Sequence, residues 1–204
     1  MNGMYFSGTG NTKYCTEAFA QATGGRACSM ESDEALEILR ASDEIALGYP
    51  IYFSDIPRIV KAFILKHADM FRGKRVFVIA TMGLFGGDGA GLAARLLRKC
   101  GAAVTGGLHL HMPDCIADVK LLKKTPKENR GLIAAAQKKI LQAAEGIKRG
   151  IYPKDGLSFF HRIAGLFGQR LWFKMHAKKL TERLKIKTDR CIGCGICAAH
   201  CPTK

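Results

Sequence analysis

A short loop of glycine and hydroxyl residues near the N-terminus, SGTGNT at positions 7–12, limits the possible fold more than any other feature. An apolar strand is predicted over residues 1–6 and a helix over 13–23, because Tyr14, Ala18 and Ala22 recur at helical spacing. Glycine allows the backbone to approach a ligand without a Cβ in the way, and a helix N-terminus offers N–H groups and partial positive charge. The pattern predicts a phosphate site that needs no Lys or Arg.

The composition of this loop distinguishes it from other phosphate loops. A nucleoside triphosphate loop requires Gly-Lys-Ser/Thr, whereas Lys13 here follows Asn-Thr. A dinucleotide loop requires a third glycine where Lys13 stands. A neutral, hydroxyl-rich cradle suits the monophosphate of FMN, and the run resembles the phosphate loop of the flavodoxin family. The alternative is a glycine-rich turn that only caps the helix. The residues expected to hold the phosphate are Ser7, Gly8, Thr9, Gly10, Asn11 and Thr12.

Strands and helices are predicted to alternate along the next part of the chain. The further strands are expected at 26–30, 44–49, 74–81 and 104–112, and the helices at 33–40, 56–67, 92–99 and 127–148. Such alternation predicts an α/β fold with a parallel sheet covered on both faces. The resemblance implies a flavodoxin-like five-stranded parallel sheet in the order 2-1-3-4-5.

The loops after the third and fourth strands are expected to hold the flavin ring. Ligands of such sheets bind beyond the strand C-termini where the strand order reverses. Tyr52 and Phe53 are suited to stack on an isoalloxazine ring, and a glycine-rich loop would close over its other side. The alternative for either aromatic residue is a buried turn. The expected ring contacts are Pro50, Ile51, Tyr52, Phe53, Met82, Gly83, Leu84, Phe85, Gly86 and Gly87.

Four of the eight cysteines lie in the last fourteen residues, in the pattern C-x2-C-x2-C-x3-C-P. This is the bacterial ferredoxin pattern for a 4Fe–4S cluster, and it predicts Cys191, Cys194, Cys197 and Cys201 as iron ligands. Zinc is the alternative, although zinc sites rarely pack four ligands so tightly. In two-cluster ferredoxins the fourth cysteine ligates the other cluster, whose remaining ligands do not occur here. Either Cys201 or an upstream cysteine completes one cluster, or the ferredoxin part is truncated, which is the expectation we favour.

The chain is strongly basic, with 32 Lys and Arg against 17 Asp and Glu and a net charge of +15. This balance predicts an acidic partner, an anionic surface or nucleic acid. Residues 151–190 are rich in aromatic side chains and contain ten basic against three acidic residues. We expect a docking helix, with membrane-surface association through 154–185 as the alternative. Specific nucleic-acid binding is not expected, because no recognised nucleic-acid-binding motif accompanies the positive charge.

Other patterns are less informative. His109 and His111 alternate near Asp114 and Cys115, which is compatible with a metal or proton-handling site but more typical of the polar face of a strand. No catalytic side chain is assigned, because no Ser/His/Asp or paired-carboxylate pattern stands out and the chemistry is expected to reside in cofactors. The sequence contains no signal-peptide pattern and no apolar run of about 18 residues, so a cytoplasmic location is expected.

The whole chain resembles the fused flavodoxin–ferredoxin proteins of anaerobic bacteria and archaea. The expected divisions are a flavin domain at 1–150, a basic helical linker at 151–186 and a partial ferredoxin domain at 187–204. The resemblance implies electron transfer between FMN and a 4Fe–4S cluster, linking one-electron and two-electron redox proteins. Flavodoxins are usually acidic, so the basic charge here predicts partners with acidic surfaces. One alternative is an FMN-dependent oxidoreductase similar to quinone reductases or protoporphyrinogen oxidases, and another is a basic interaction protein without a redox role.

Overall fold

The computed structural model describes residues 1–114, 122–165, 167, 170–181, 187–199 and 201. The described residues form one five-stranded parallel sheet. Its strands are β1 (Asn2–Tyr5), β2 (Ala27–Ser29), β3 (Glu44–Pro50), β4 (Arg75–Met82) and β5 (Ala103–His111). Their order across the sheet is β2-β1-β3-β4-β5, and every neighbouring pair is parallel. The predicted strand order is therefore confirmed.

Helices follow each strand and cover both faces of the sheet. They are α1 (Asn11–Ala22), α2 (Glu34–Ala41), α3 (Arg58–Lys66), α4 (Ala68–Phe71), α5 (Gly89–Lys99) and α6 (Pro126–Lys148). Helix α6 begins with a capping box, in which Thr125 and Glu128 satisfy each other's backbone N–H groups. The sequence pattern predicted this helix from residue 127, one residue after its observed start.

Helix α5 begins three residues before the predicted position, inside the glycine-rich segment. Glycine disfavours helix interiors, which is why the sequence pattern indicated a loop there. In the structure Gly89 and Gly91 are buried, and a Cβ at Gly89 would lie 2.6 Å from a side-chain carbon of Ile51. Close packing against the loop after β3 therefore requires glycine and outweighs its low helix propensity.

Two apolar cores lie on the two faces of the sheet. On one face α1 and α6 pack on the strands, and Phe19 of α1 stacks on Phe77 of β4 with ring centroids 5.0 Å apart. On the other face Leu39 of α2, Ile64 of α3 and Leu97 of α5 are fully buried. Burial of each such side chain contributes about 1.5–3 kcal/mol, so both helix layers are held mainly by apolar contact.

The chain continues past α6 along the free side of β5. Gly107 donates its N–H to the Pro153 carbonyl at 2.8 Å and accepts from the Asp155 N–H at 2.9 Å. Then come α7 (Phe159–Gly165), α8 (Leu171–Thr181), a 3₁₀ turn (Thr188–Arg190) and α9 (Ile196–Ala199). None of the helices in the described part of the chain is long and apolar enough to cross a membrane. The three domain ranges, 1–150, 151–186 and 187–204, stay predictions.

Candidate cofactor sites

The loop between β1 and α1 forms an open cradle at the helix N-terminus. Gly10, at the N-cap of α1, has a φ of +97°, a conformation that side-chain-bearing residues rarely adopt. Its N–H donates to Ser7 Oγ at 3.1 Å, which closes the turn. Gly8, Thr9 and Gly10 are exposed, and the first turn of α1 contains no acidic residue. The positive end of the helix therefore faces solvent, as an anion site requires.

The last two residues predicted for the phosphate loop have structural contacts. Thr12 is buried, and its hydroxyl lies 2.7 Å from Thr81 Oγ1 at the end of β4. The Asn11 amide donates to the Pro113 carbonyl at 2.8 Å, beyond the end of β5. Both side chains fasten α1 to the C-terminal edge of the sheet. Thr12 is thus suited to contact an anion through its backbone N–H rather than its hydroxyl.

The loop after β3 contains a tight turn with an unusual backbone. Tyr52 and Asp55 exchange backbone hydrogen bonds of 3.1 and 2.9 Å, and the central residues Phe53 and Ser54 have φ values of 50° and 58°. Positive φ at both central positions is typical of a type I′ turn, which normally uses Asn-Gly. Residues with side chains cost about 1–3 kcal/mol each there, and such strain is concentrated at ligand sites. The turn directs Tyr52 and Phe53 to the surface.

The two predicted ring loops come together with the phosphate loop at one edge of the sheet. A Cβ at Gly8 would lie 3.8 Å from Tyr52 Oη. Four large apolar side chains are exposed on the ring loops, with exposed fractions of 47% for Tyr52, 41% for Phe53, 55% for Leu84 and 40% for Phe85. Exposed apolar side chains grouped beside an anion cradle fit a ligand with a phosphate and a flat aromatic ring.

The remaining predicted ring residues form the support beneath these side chains. Pro50 ends β3, Ile51 donates its N–H to the Thr81 carbonyl at 2.8 Å, and Met82 is buried at the end of β4. The loop after β4 contains Gly83, Gly86 and Gly87. Gly87 has a φ of +46°, and a Cβ at Gly86 would lie 2.7 Å from Met82 Sδ. These residues position the loops, and the exposed side chains provide the surface.

Sequence reasoning missed a buried carboxylate behind the ring loops. Asp88 is 1% exposed and pairs with Arg95 of α5 and with Arg170, which precedes α8. Arg170 also donates to the Ser54 carbonyl at 2.9 Å. The sequence feature that could have indicated this buried carboxylate is Asp88 itself, because it is an acidic residue within an otherwise apolar and glycine-rich segment.

The cysteine tail has the donor chemistry of an iron–sulfur site. Cys191, Cys194 and Cys197 are exposed, Cys201 is partly exposed, and the intervening Gly193 and Gly195 have positive φ values of 67° and 71°.

Within the ranges that the structure describes, no three Cys, His, Asp or Glu side chains are gathered as a metal site. The four thiols fit a 4Fe–4S cluster in residue type and in sequence spacing. Their side chains, however, are not gathered into a closed ligand set here.

The histidines of β5 do not form a metal site with their described neighbours. His109 lies beside His161, with ring centroids 6.0 Å apart, and its buried Nε2 has no hydrogen-bond partner among the described residues. Burial lowers the pKa of His109 to about 4, so the ring is neutral at physiological pH. His111 is exposed, and Cys115 lies outside the described residues.

The fold and the cradle are flavodoxin-like, and comparison with known families agrees. Residues 4–96 match the flavodoxin domain family, and residues 184–204 match the 4Fe-4S binding domain family. The chain thus combines both domains, as fused flavodoxin–ferredoxin proteins do. The flavodoxin domain implies FMN as a cofactor, and the second domain implies a 4Fe–4S cluster.

Solved structures of flavodoxin-like proteins resemble the fold. The WrbA-like flavodoxin of Agrobacterium tumefaciens is 16% identical with a TM-score of 0.52, and the match covers 72% of this chain and 96% of that one. A Fusobacterium nucleatum flavodoxin bound to flavin mononucleotide is 17% identical with a TM-score of 0.50, over 74% of this chain and 97% of that one. The comparison with curated proteins found no match.

Proposed function

We propose that the chain is an electron carrier in which FMN on the flavodoxin domain and a 4Fe–4S cluster on the tail exchange electrons. The two domain types indicate electron transfer. Flavins exchange one or two electrons and such clusters exchange one, so a chain with both connects one-electron and two-electron redox proteins.

The observation that carries this proposal is the open, apolar edge beside the phosphate cradle. Tyr52, Phe53, Leu84 and Phe85 are all exposed on loops that meet at the strand C-termini. A ring bound against these side chains would lie at the surface, where a partner protein can approach it. Backbone N–H groups of Gly8 and of the first turn of α1 would hold the phosphate, because the Gly10 N–H is already bonded to Ser7 Oγ.

The flavin part of the proposal is tested by titrating FMN into the flavin-free protein and following flavin fluorescence. Leu84→Ala and Tyr52→Ala are expected to weaken binding about 5- to 10-fold, since an aromatic or apolar ring contact contributes about 1–1.5 kcal/mol. Leu141→Ala is the matched control, because Leu141 is similarly exposed, at 49%, but lies on α6. Equal affinity in all three variants would contradict the proposed ring site.

The cluster part is tested by iron and flavin analysis of protein purified without oxygen. Cys194→Ser is expected to lose iron and keep flavin, whereas Cys100→Ser at the end of α5 is expected to keep both. Reduction of the flavin in the wild-type protein should then be followed by reduction of an external one-electron acceptor. If Cys194→Ser reduces that acceptor at the wild-type rate, the exchange between FMN and the cluster is refuted.

The redox partners that we propose carry acidic surfaces, because the chain has a net charge of +15. Association with such a partner should weaken steeply as salt is raised. The exposed thiols of Cys191, Cys194 and Cys197 suit a reducing compartment, so we propose a cytoplasmic location.

We further propose that the linker associates with anionic membrane surfaces. Phe159, Phe160, Phe167 and Met175 are strongly exposed along it, in a segment with ten basic and three acidic residues over 151–190. The protein should sediment with vesicles that contain anionic lipid and not with neutral ones. Phe160→Ser should weaken this association, and Leu65→Ser on α3 should not. Binding that is unchanged in Phe160→Ser would count against the membrane role.

The alternative function is that of an FMN-dependent oxidoreductase with a small substrate. Such an enzyme needs a cavity over the ring. Two cavities of about 530 and 360 Å³ lie along α3 and α5. Neither is lined by the phosphate loop or by residues 82–87. These two cavities therefore do not support the enzyme alternative, and the carrier proposal rests on the open apolar edge described above.

A further inference from the structure

Asp88 and Arg170 together link three segments of the chain: the loop after β3, the start of α5 and the linker. Arg95 donates from Nη1 to Oδ1 at 3.0 Å and from Nη2 to Oδ2 at 2.5 Å. Arg170 donates from Nη2 to the same Oδ2 at 3.0 Å and to the Ser54 carbonyl at 2.9 Å. The side chains of Asp88 and Arg170 are 1% and 11% exposed. The linker is therefore attached to both ring loops through a buried ion pair.

The backbone at this junction is closely fitted. A Cβ at Gly165, the last residue of α7, would lie 2.5 Å from the Asp88 backbone nitrogen. A Cβ at Gly87 would lie 2.8 Å from the Gly165 Cα. A side chain at position 165 would hold the linker away from the loop after β4, so the contact depends on glycine at this point.

Aromatic residues at the start of α8 lie over the strained turn. Phe173 stacks on Phe53 with ring centroids 4.1 Å apart and an interplanar angle of 13°, and Trp172 lies 6.4 Å from the same ring. Phe53 is one of the exposed side chains that we propose for the ring site. The anchored linker therefore adds Trp172 and Phe173 to the border of that site.

We propose that Arg170 and Gly165 are positioning residues that dock the linker on the flavin loops, so that Trp172 and Phe173 form a side wall of the flavin site next to Phe53. The wall's role toward FMN rests on the proposed function, whereas the docking itself does not. Replacing Arg170 should disturb the docking of the linker more than it disturbs the flavodoxin fold, because Asp88 keeps Arg95 as a partner. Arg170 Nε has no hydrogen-bond partner among the described residues, which favours reversible docking.

The single tryptophan of the chain, Trp172, reports docking directly. The first measurement is acrylamide quenching of Trp172 fluorescence in the full-length, flavin-free protein. Arg170→Gln is expected to raise the quenching constant about two- to three-fold. Gly165→Ala should do the same without a change of charge. Arg170→Lys should restore part of the protection. Arg162→Gln, which removes an exposed positive charge from α7, is the matched control and should resemble the wild type.

The second measurement is an FMN titration of the same proteins. FMN is expected to quench Trp172 emission in the wild type and Arg162→Gln, and to quench it at least three-fold less in Arg170→Gln and Gly165→Ala. If Trp172 is equally accessible to acrylamide in all of the proteins, the docking proposal is overturned. If acrylamide distinguishes the variants but FMN does not bind the wild type, the docking stands and the proposed flavin function fails. If FMN quenches Trp172 emission equally in every variant, the proposal that Trp172 and Phe173 border the flavin site is refuted.

Discussion

Replacing Asp88 by Asn tests how much the buried ion-pair junction contributes to stability. Removing one partner of a fully buried pair costs about 3–5 kcal/mol, because the other charge is left uncompensated. Here the cost is reduced, since the Arg95 side chain is 36% exposed and can regain water, and since Asn still offers an oxygen acceptor. Arg170, at 11% exposed, cannot recover its hydration in place. We expect a loss of roughly 2–3 kcal/mol in the free energy of unfolding.

The assay is thermal unfolding of the flavin-free protein followed by circular dichroism. A loss of this size in a chain of 204 residues corresponds to a fall of about 5–10 °C in Tm. Asp69→Asn is the matched control, because it makes the same change in an exposed pair with Arg72 at 3.5 Å. Such pairs contribute about 0–1 kcal/mol, so its Tm should change by no more than a few degrees. Equal shifts in the two variants would refute the reasoning from burial.

Three further predictions concern buried groups of the flavodoxin domain. Burial lowers the pKa of His109 from 6.5 to about 4, so its neutral form contributes stability that is complete above pH 6.5 and is lost as pH falls toward 4. The free energy of unfolding, measured in urea, should fall between pH 7 and pH 4.5 by about 1–2 kcal/mol less in His109→Leu than in the wild type, after allowance for partial exposure. An equal fall in the two proteins would contradict this. Burial raises the pKa of the Cys15 thiol to about 12, so in the iron-free protein at pH 8 a thiol reagent should label Cys194 rapidly and Cys15 only after unfolding, as mass spectrometry of labelled peptides can show. Gly48→Ala should lower Tm by about 2–12 °C, because the added Cβ would overlap the Thr16 hydroxyl and overpacking costs about 1–3 kcal/mol; an unchanged Tm would contradict it.

Local patterns in the sequence predicted the elements that depend on local physics. The glycine-rich turn before α1 is formed by residues within a few positions of each other. The strand order came from the family resemblance carried by the phosphate loop, and the sheet confirms it. The cysteine spacing predicted the 4Fe–4S domain that the family comparison also finds.

The rest of the site depends on contacts that have no local signal. Arg170 and Asp88 are 82 positions apart, and neither neighbourhood distinguishes a buried pair from solvated charges. The direction of the Thr12 side chain depended on where α1 begins. The helix was expected from residue 13, but it starts at Asn11 and so turns Thr12 toward Thr81. The Phe53–Ser54 turn lacks the usual Asn-Gly signal, because its strain is held by tertiary contacts.

The segment that follows α6 also has a consequence for how the sheet meets other molecules. β5 is the last strand of the sheet, and an uncovered outer strand is a template for pairing with another chain. Pro153 and Asp155 bond to Gly107 on that outer side and occupy its backbone groups. A recombinant fragment that ends at residue 150 would lose this cover, whereas one that ends at 157 would keep it. Self-association would therefore be a property of where the fragment is cut, rather than of the flavodoxin fold itself.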